Sequence, residues 1–141
     1  MKMVVLDTNV ISEMMKSPPA NAVVHWYKTM SRRVLYTTAI TCGEILAGIE
    51  MMPKGRKRTG LAREAHAMFG DEFENRILAF DQRAAEHYAD IVGTRKRLGR
   101  RIEPIDAQIA AIARAHGMGL ATRNVTHFAD CSVDIVNPWS T

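Results

Sequence analysis

The amino-acid sequence predicts an α/β fold with a largely parallel sheet, and two observations carry that prediction. Short apolar or β-branched segments alternate along the chain with longer segments of helical periodicity, as in proteins whose parallel strands are joined by helices. The first segment, residues 3–6, is apolar at every position, which is typical of a strand buried on both faces. It ends on Asp7, and open α/β sheets place their ligands at the carboxyl ends of strands.

The first half of the chain is predicted to hold two helices, a strand and a third helix. Residues 10–16 form a short helix that ends before Pro18, because a residue that precedes proline is disfavoured in the helical region. A second helix begins near Pro19. Residues 34–37 are β-branched or apolar and form the second strand, and residues 40–51 form the third helix.

The second half continues the same alternation. Residues 56–73 carry apolar side chains at helical spacing, and residues 77–80 resemble a short third strand. Asp81 is a candidate cap for the next helix, which stops at Gly99. The remaining elements are a helix that Pro104 opens and His116-Gly117 closes, a fourth strand over residues 119–122 and a fifth over residues 133–136.

The composition fits one domain over residues 1–141. A chain of 141 residues buries roughly two-thirds of the surface that it exposes when unfolded. Hydrophobic residues make up 47% and charged residues 24%, which indicates an ordinary globular protein. Two cysteines are too few for a disulfide scaffold or a zinc site. No signal peptide and no apolar stretch of roughly 20 residues is present, so we expect a cytoplasmic protein outside the membrane.

Three carboxylates occupy comparable positions in this predicted fold. Asp7 follows the first strand, Glu44 lies in the helix after the second, and Asp106 begins the helix before the fourth. Carboxylates brought into one pocket repel one another unless a cation joins them, and oxygen ligands without nearby His or Cys favour Mg²⁺ or Mn²⁺. An ion held there would activate water and neutralise charge on a phosphate. The expected reaction is phosphodiester hydrolysis.

Each acid also has a purely structural interpretation. Asp7 could cap the helix that follows it. Residues 41–44, Thr-Cys-Gly-Glu, match the capping-box pattern, in which the glutamate bonds back to the cap residue. Asp106 could complement the positive end of its helix dipole. The neighbours of the three acids decide between the interpretations.

Those neighbours form four sequence blocks that resemble the four blocks of PIN-domain nucleases. The blocks are residues 5–13 (VLDTNVISE), 38–48 (TAITCGEILAG), 105–111 (IDAQIAA) and 120–124 (LATRN). They follow the family's order over nearly the whole chain, down to the closing residues 136–139 (VNPW). More narrowly, the chain is similar to the VapC and FitB-like toxins of bacterial toxin–antitoxin operons.

The resemblance implies a five-stranded parallel sheet between helices, a Mg²⁺- or Mn²⁺-dependent endoribonuclease and neutralisation by a cognate antitoxin. The family's first three acids fall on Asp7, Glu44 and Asp106. A polar pair that flanks the site falls on Thr8 and Asn9, and Asn9 would orient Asp7 as a hydrogen-bond donor. We expect a homodimer and a hetero-oligomer of toxin and antitoxin.

The block after the fourth strand departs from a frequent family pattern. Where relatives often carry a fourth acid, the residue after Thr122 and Arg123 is Asn124, which brings no charge. Asp130 in the following loop is the alternative, although its spacing matches the motif poorly. We take Asn124 as a fourth catalytic candidate and Thr122 as a residue that supports Asp7. With three carboxylates, a second ion should bind more weakly.

Basic residues supply candidate contacts to RNA. The net charge is +4, which favours an acidic partner such as nucleic acid. Clusters at residues 54–58 and 95–101 would offset the repulsion between an acidic pocket and RNA phosphates. The candidate residues are Lys54, Arg56 and Arg97, together with Arg123 beside the last block. The alternative interpretation of each cluster is a solvated helix end or loop.

Methionines near the ends of the two helices beside the site are candidates for a partner contact. Methionine adapts to irregular surfaces and is enriched at interfaces, so these side chains could form a dimer contact or an antitoxin groove. Core packing is the alternative. The residues are Met14, Met15, Met51 and Met52.

Two other functions fit parts of the sequence. A phosphatase of the haloacid-dehalogenase type also begins with an aspartate after an apolar strand, but its chemistry needs a second acid two residues later, where Asn9 stands. A catalytically silent PIN-like module that binds RNA or an antitoxin, and whose acids hold only a structural ion, is the other alternative.

Overall fold

The computed structural model describes residues 2–141, which form one five-stranded sheet and six α-helices. No helix within these residues is both long and apolar enough to cross a membrane. The strands are β1 (Val4–Leu6), β2 (Leu35–Thr38), β3 (Ile77–Leu78), β4 (Gly119–Ala121) and β5 (Ile135–Val136). The helices are α1 (Thr8–Met14), α2 (Asn21–Thr29), α3 (Ala39–Glu50), α4 (Arg56–Ala67), α5 (Gln82–Arg97) and α6 (Pro104–Ala115).

The sheet is parallel throughout, in the order β3-β2-β1-β4-β5, so β1 is its central strand. Val5 pairs with Tyr36 of β2 on one side and with Leu120 of β4 on the other. A central parallel strand is covered on both faces, which explains why every residue of β1 is apolar and buried. Its carboxyl end places Asp7 next to β4, where the Asp7 amide donates to the Ala121 carbonyl at 2.9 Å.

Successive residues of β1 contribute to two separate cores because side chains alternate across a strand. Val5 packs with Ile91 of α5 and Ile109 of α6 on one face. Leu6 packs with Ile11 of α1 and Val23 of α2 on the other. The predicted α/β architecture, a parallel sheet of five strands with helices on both faces, is confirmed.

Most of the predicted helix ends agree with the structure. Asp81 caps α5, since its Oδ1 accepts from the Ala84 amide at 3.0 Å. Gly99 and Gly117 follow α5 and α6 with φ of +71° and +64°, the left-handed conformation that ends a helix and favours glycine. The segment predicted as one helix over residues 56–73 is α-helical only to Ala67 and then forms a π-helical turn over Met68–Glu72.

The capping-box interpretation of residues 41–44 is wrong. The helix begins three residues earlier than that pattern requires, because the cap is Thr38, whose Oγ1 accepts from the Thr41 amide at 3.1 Å. Glu44 therefore lies in the second turn of α3, too far along the helix to bond back to its cap. Its side chain accepts from the Thr8 hydroxyl instead, at 2.5 Å.

Candidate active site

Asp7, Glu44 and Asp106 line one cavity of about 400 Å³ at the carboxyl edge of the sheet. Asp7 comes from the end of β1, Glu44 from α3 and Asp106 from the first turn of α6. The three acids are distant in sequence, and the parallel sheet brings them together because its strands end at the same edge. They affect one another electrostatically, since Glu44 and Asp106 each raise the pKa of Asp7.

Asp7 is the most deeply buried of the three acids, with 4% of its surface exposed. Burial raises the pKa of Asp7 from 3.8 to about 6, while hydrogen bonds from Thr122 and Thr8 oppose that rise. Its carboxylate accepts from the Thr122 hydroxyl at 2.7 Å, the Thr8 amide at 2.8 Å and the Asn9 amide group at 3.3 Å. Three donors therefore fix the orientation of a carboxylate that remains mostly ionised at neutral pH.

Polar side chains join the end of β1 to the loop after β4. Asn9 donates to the Thr122 hydroxyl at 3.2 Å and accepts from the Arg123 amide at 3.3 Å. The Thr122 hydroxyl also accepts from the Asn124 amide at 3.1 Å. The structure thus places Asn9 and Thr122 beside Asp7 as donors and ties both to the loop that carries Asn124.

Glu44 is oriented by hydroxyl groups. The Thr8 hydroxyl donates to Glu44 Oε1 at 2.5 Å and lies 3.0 Å from the hydroxyl of Thr41. A hydroxyl carries one proton, so Thr41 must donate to Thr8 while Thr8 donates to Glu44. Thr8 therefore contacts two of the acids, Asp7 through its amide and Glu44 through its side chain.

Asp106 faces the cavity from the positive end of α6. Burial raises the pKa of Asp106, His127 opposes that rise, and Glu44 and Glu103 add to it. His127 Nδ1 lies 3.5 Å from Asp106 Oδ2, and 56% of the His127 side chain is exposed. Asp106 therefore lines the cavity with a partly exposed side chain and has an exposed histidine beside it.

The donor set fits a hard divalent cation. All three acids present only carboxylate oxygens, and the like charges that raise the pKa values of Asp7 and Asp106 would be offset by a cation between them. Within residues 2–141, no three Asp, Glu, His or Cys side chains already stand as a complete ligand cluster. Glu44 bonds to Thr8 and Asp106 faces His127, so each would turn toward an ion to bind it.

The structure brings Asn124 to the cavity and does not bring Asp130 there. Asn124 is one of the lining residues. Asp130 has φ of +61°, and its carboxylate pairs with Arg100 at 3.2 Å. Asp130 therefore lies outside the residues that line the acidic cavity, and its side chain pairs with a cation elsewhere on the surface. Which of Asn124 and Asp130 completes the site stays a prediction.

The predicted basic contacts differ in their relation to the acids. Arg123 lines the acidic cavity, with its guanidinium carbon 5.1 Å from the centre of the Trp139 ring. Arg56 lines an adjoining cavity of about 590 Å³, and Lys54 lies just before it in the loop that precedes α4. Arg97, in the last turn of α5, is exposed and lies outside the residues that line the acidic cavity.

The interpretation of residues 95–101 as one exposed basic cluster is wrong at Arg95. Only 5% of Arg95 is exposed. Its guanidinium donates to the carbonyls of Arg100 at 2.6 Å, His127 at 2.7 Å and Ala129 at 3.0 Å. Arg95 therefore holds two loops against α5, and it is not available to RNA.

Four further residues line the acidic cavity that the sequence did not single out as site residues. Glu13 lies one helical turn beyond Asn9 on the same face of α1, and Lys16 follows two residues after the end of that helix. The four-residue spacing of Glu13 from Asn9 is the sequence signal that identifies Glu13 as a site residue. The four residues are Ser12, Glu13, Lys16 and Trp139.

The methionines divide into two groups. Met14 and Met15 pack against the core and also line a mostly apolar cavity of about 490 Å³ with Tyr27 and Met68. Met52 lines a separate cavity beside α3, and Met51 is 80% exposed. Core packing is therefore observed for Met14 and Met15, and a partner contact through these methionines stays a prediction.

Known proteins of one family are similar to this chain along nearly its whole length. The model of the PIN domain family matches residues 4–130. The chain is 40% identical to VapC ribonuclease Y4jK of Sinorhizobium fredii over 97% of its length and 98% of that protein, and 36% identical to Toxin FitB of Neisseria gonorrhoeae over 97% and 99%. The solved structure of FitAB bound to a DNA fragment superimposes with a TM-score of 0.92 at 36% identity, covering 99% of this chain and 97% of that chain.

Proposed function

The chain belongs to the PIN domain family and within it to the VapC and FitB-like toxins, and from that membership we propose that it is a divalent-metal-dependent endoribonuclease. It would act as the toxin of a type II toxin–antitoxin pair. The observation that carries the proposal is the meeting of Asp7, Glu44 and Asp106 in one cavity. The similarity to VapC ribonuclease Y4jK and to Toxin FitB covers nearly all of the chain and supports the same activity.

Asp7, Glu44 and Asp106 would hold the cation, which we propose to be Mg²⁺ or Mn²⁺ because the donors are all carboxylate oxygens. When bound, such an ion activates water and offsets the negative charge that develops on the phosphate. Thr122, Asn9 and Thr8 keep Asp7 oriented, and Thr8 also keeps Glu44 oriented, in the manner of groups that support metal ligands. Asn124 would offer a neutral carbonyl at the edge of the cavity.

RNA would be held by cations around the acids. Arg123 lines the acidic cavity, and Arg56 lines the cavity beside it, with Lys54 close by in the chain. We propose that these three residues contact RNA phosphates, which would otherwise be repelled by the acids. Arg97 remains a fourth candidate at a greater distance from the site.

A cognate antitoxin is the proposed protein partner. The similar solved structures include FitAB bound to a DNA fragment, at 36% identity, and FitAcB from Neisseria gonorrhoeae, at 33% identity. The cavity lined by Met14, Met15, Tyr27 and Met68 supplies apolar surface for such a partner. A homodimer and a toxin–antitoxin hetero-oligomer are the expected assemblies.

RNA cleavage tests the proposed activity. The purified protein should cleave RNA with Mg²⁺ or Mn²⁺ and stop when EDTA removes the metal. Asp106→Asn should lower the cleavage rate by about a hundredfold or more, because it removes a charge that would hold the ion. The matched control is Glu74→Gln, which changes an exposed acid outside the cavity.

Two outcomes would contradict this activity. Cleavage that persists in EDTA would reject the metal, and full activity of Asp106→Asn would reject the proposed site. RNA binding without cleavage, across several metals and RNAs, would favour the catalytically silent module. A haloacid-dehalogenase mechanism is disfavoured by the geometry, since Asn9 donates to Asp7 and has no acidic proton to give to a leaving group.

A pair of substitutions separates the two candidates for the fourth position. We expect Asn124→Ala to reduce RNA cleavage by about tenfold, because it removes a polar group that lines the cavity. Asp130→Asn should leave the cleavage rate unchanged, since Asp130 pairs with Arg100. The measurement is the cleavage rate of each variant at saturating metal. A loss of activity in Asp130→Asn, with none in Asn124→Ala, would assign the fourth position to Asp130.

A further inference from the structure

Glu13 is a buried carboxylate in the wall of the acidic cavity that the proposed chemistry does not use. Only 7% of the residue is exposed. Its Oε1 accepts from the Lys16 ammonium at 3.0 Å, and its Oε2 accepts from the Ala20 amide at 2.8 Å. These hydrogen bonds hold the pKa of Glu13 below its ordinary value. A charge that is nearly buried is costly unless its partners stabilise it, and Lys16 and the Ala20 amide supply that stabilisation here.

Lys16 is the exposed partner in this pair. It lies one turn beyond Glu13 in the chain, and 62% of its side chain is exposed, against 8% for Glu13. Lys16 lines the acidic cavity together with the three acids. A lysine side chain normally loses considerable conformational entropy when it binds a ligand, and the bond to Glu13 removes part of that cost in advance.

Arg123 is a second cation in the wall of the same cavity. Its backbone amide donates to Asn9 at 3.3 Å, and its guanidinium lies over the Trp139 ring at 5.1 Å. The negative charge of Glu13 interacts electrostatically with Arg123 as well as with Lys16. One buried carboxylate thus attracts two cations that are far apart in the sequence.

Lys16 also connects two cavities. Together with Ser12 it lines both the acidic cavity and the adjoining cavity that contains Arg56 and Lys57. A row of basic side chains therefore begins beside the three acids and extends into the adjoining cavity. If one phosphate of a polyanion lay at the acids, the phosphates next to it would lie near Lys16.

We propose that Glu13 is a positioning residue that holds Lys16 beside Arg123, so that these two residues, the cation pair, bind the RNA phosphate next to the one that is cleaved. The inference rests on the proposed function for the identity of the substrate. The ligand is a single strand of RNA whose backbone leaves the acids across Lys16 toward Arg56 and Lys57. The cation pair offsets the repulsion that three acids exert on that backbone.

Salt-dependent RNA binding tests the cation pair. Binding of a short single-stranded RNA is measured in the full-length Asp7→Asn protein, which prevents cleavage, over a range of salt concentrations. Lys16→Gln and Arg123→Gln should each weaken binding by about fivefold at low salt. Each should also reduce the slope of log affinity against log salt by about 0.7, the contribution of one phosphate contact on a single strand. Lys28→Gln, an exposed lysine of α2 outside this cavity, is the control and should change neither.

A double substitution tests whether Glu13 acts through Lys16. Glu13→Gln keeps an acceptor for the Ala20 amide and loses the charge that holds Lys16. It should weaken RNA binding about as much as Lys16→Gln, and the double variant should bind no more weakly than Lys16→Gln alone. In the cleaving protein, both single variants should raise KM about fivefold and leave kcat within about twofold.

The outcomes separate this inference from the proposed activity. Unchanged affinity and unchanged salt slope in Lys16→Gln and Arg123→Gln would overturn the cation pair, and so would a failure of the Asp7→Asn protein to bind RNA. Additive losses in the double variant would overturn the role of Glu13. If the native protein cleaves no RNA while the two variants still lose salt dependence, the proposed activity fails and the cation pair stands.

Discussion

Asp7→Asn should abolish RNA cleavage. In the absence of metal, the variant should also be more stable than the native protein, by an amount that grows as the pH rises. The loss of activity follows from the place of Asp7 at the centre of the site, where it is the most buried of three acids. Asp7 would supply one of the three carboxylates that hold the ion, so the loss of its charge should weaken metal binding strongly. We expect the rate to fall by about a thousandfold or more, the effect of losing several kcal/mol of stabilisation.

The gain in stability follows from the sign of the pKa shift. The pKa of Asp7 is about 6 in the folded protein, against 3.8 as its ordinary value. Between these two values the folded state binds more protons than the unfolded state, so stability falls as the pH rises through this window. The penalty is complete above about pH 7. At about 1.4 kcal/mol for each pKa unit, the shift corresponds to about 3 kcal/mol.

Denaturant unfolding in EDTA measures this effect. The free energy of unfolding of Asp7→Asn, relative to that of the native protein, should rise by about 2.5 kcal/mol between pH 4 and pH 8, since part of the change already lies below pH 4. Addition of Mg²⁺ or Mn²⁺ should stabilise the native protein and not the variant. Glu74→Gln serves as the control acid and should show neither change. A relative stability that does not vary with pH would contradict the raised pKa of Asp7.

Arg95→Met should produce the largest loss of stability. The guanidinium donates to the carbonyls of Arg100, His127 and Ala129 in a position where only 5% of the residue is exposed. Methionine fills part of the space and removes the donor to the Arg100 and His127 carbonyls, while the Ala129 carbonyl keeps only the weak donor of the Cys131 thiol. The lost hydrogen bonds cost about 1–3 kcal/mol each, so we expect a total loss of about 3 kcal/mol.

Thermal unfolding provides the measurement. The midpoint for Arg95→Met should fall by about 10 °C for a protein of this size. Lys96→Met changes the neighbouring exposed residue of α5 and should alter stability by no more than about 0.5 kcal/mol. Equal stability of the two variants would show that the carbonyls find other donors. Because Arg95 contacts the loop that follows Asn124, its loss should also lower the cleavage rate.

The sequence predicted the fold closely because its signals are local. An uninterrupted apolar run identified the central strand, Asp81 and Gly99 identified the ends of α5, and the alternation of strands and helices identified a parallel sheet. Element ends were less accurate where two local signals compete. Residues 41–44 match a capping box, yet Thr38 supplies the cap because the strand ends there and its hydroxyl reaches the Thr41 amide.

The candidate acids were also accessible from the sequence, since Asp7, Glu44 and Asp106 each lie within a recognisable block at a strand end or an early helical turn. Their assignment as metal ligands remains a prediction. The buried role of Arg95 could not be read from the sequence, because a basic residue in a basic run has the same local pattern whether it is exposed or buried. Its acceptors belong to loops far along the chain.

Local patterns in the sequence were enough to assign most strands and helices and the acids at their ends, because periodicity, capping and chain breakers act over a few residues. Which polar groups contact one another depends on how the sheet and helices pack. This packing directs Asp130 to Arg100, turns Arg95 inward and places Glu13 and Lys16 in the wall that the three acids share. These contacts join segments far apart in the chain, so they depend on the packing of the whole sheet and its helices.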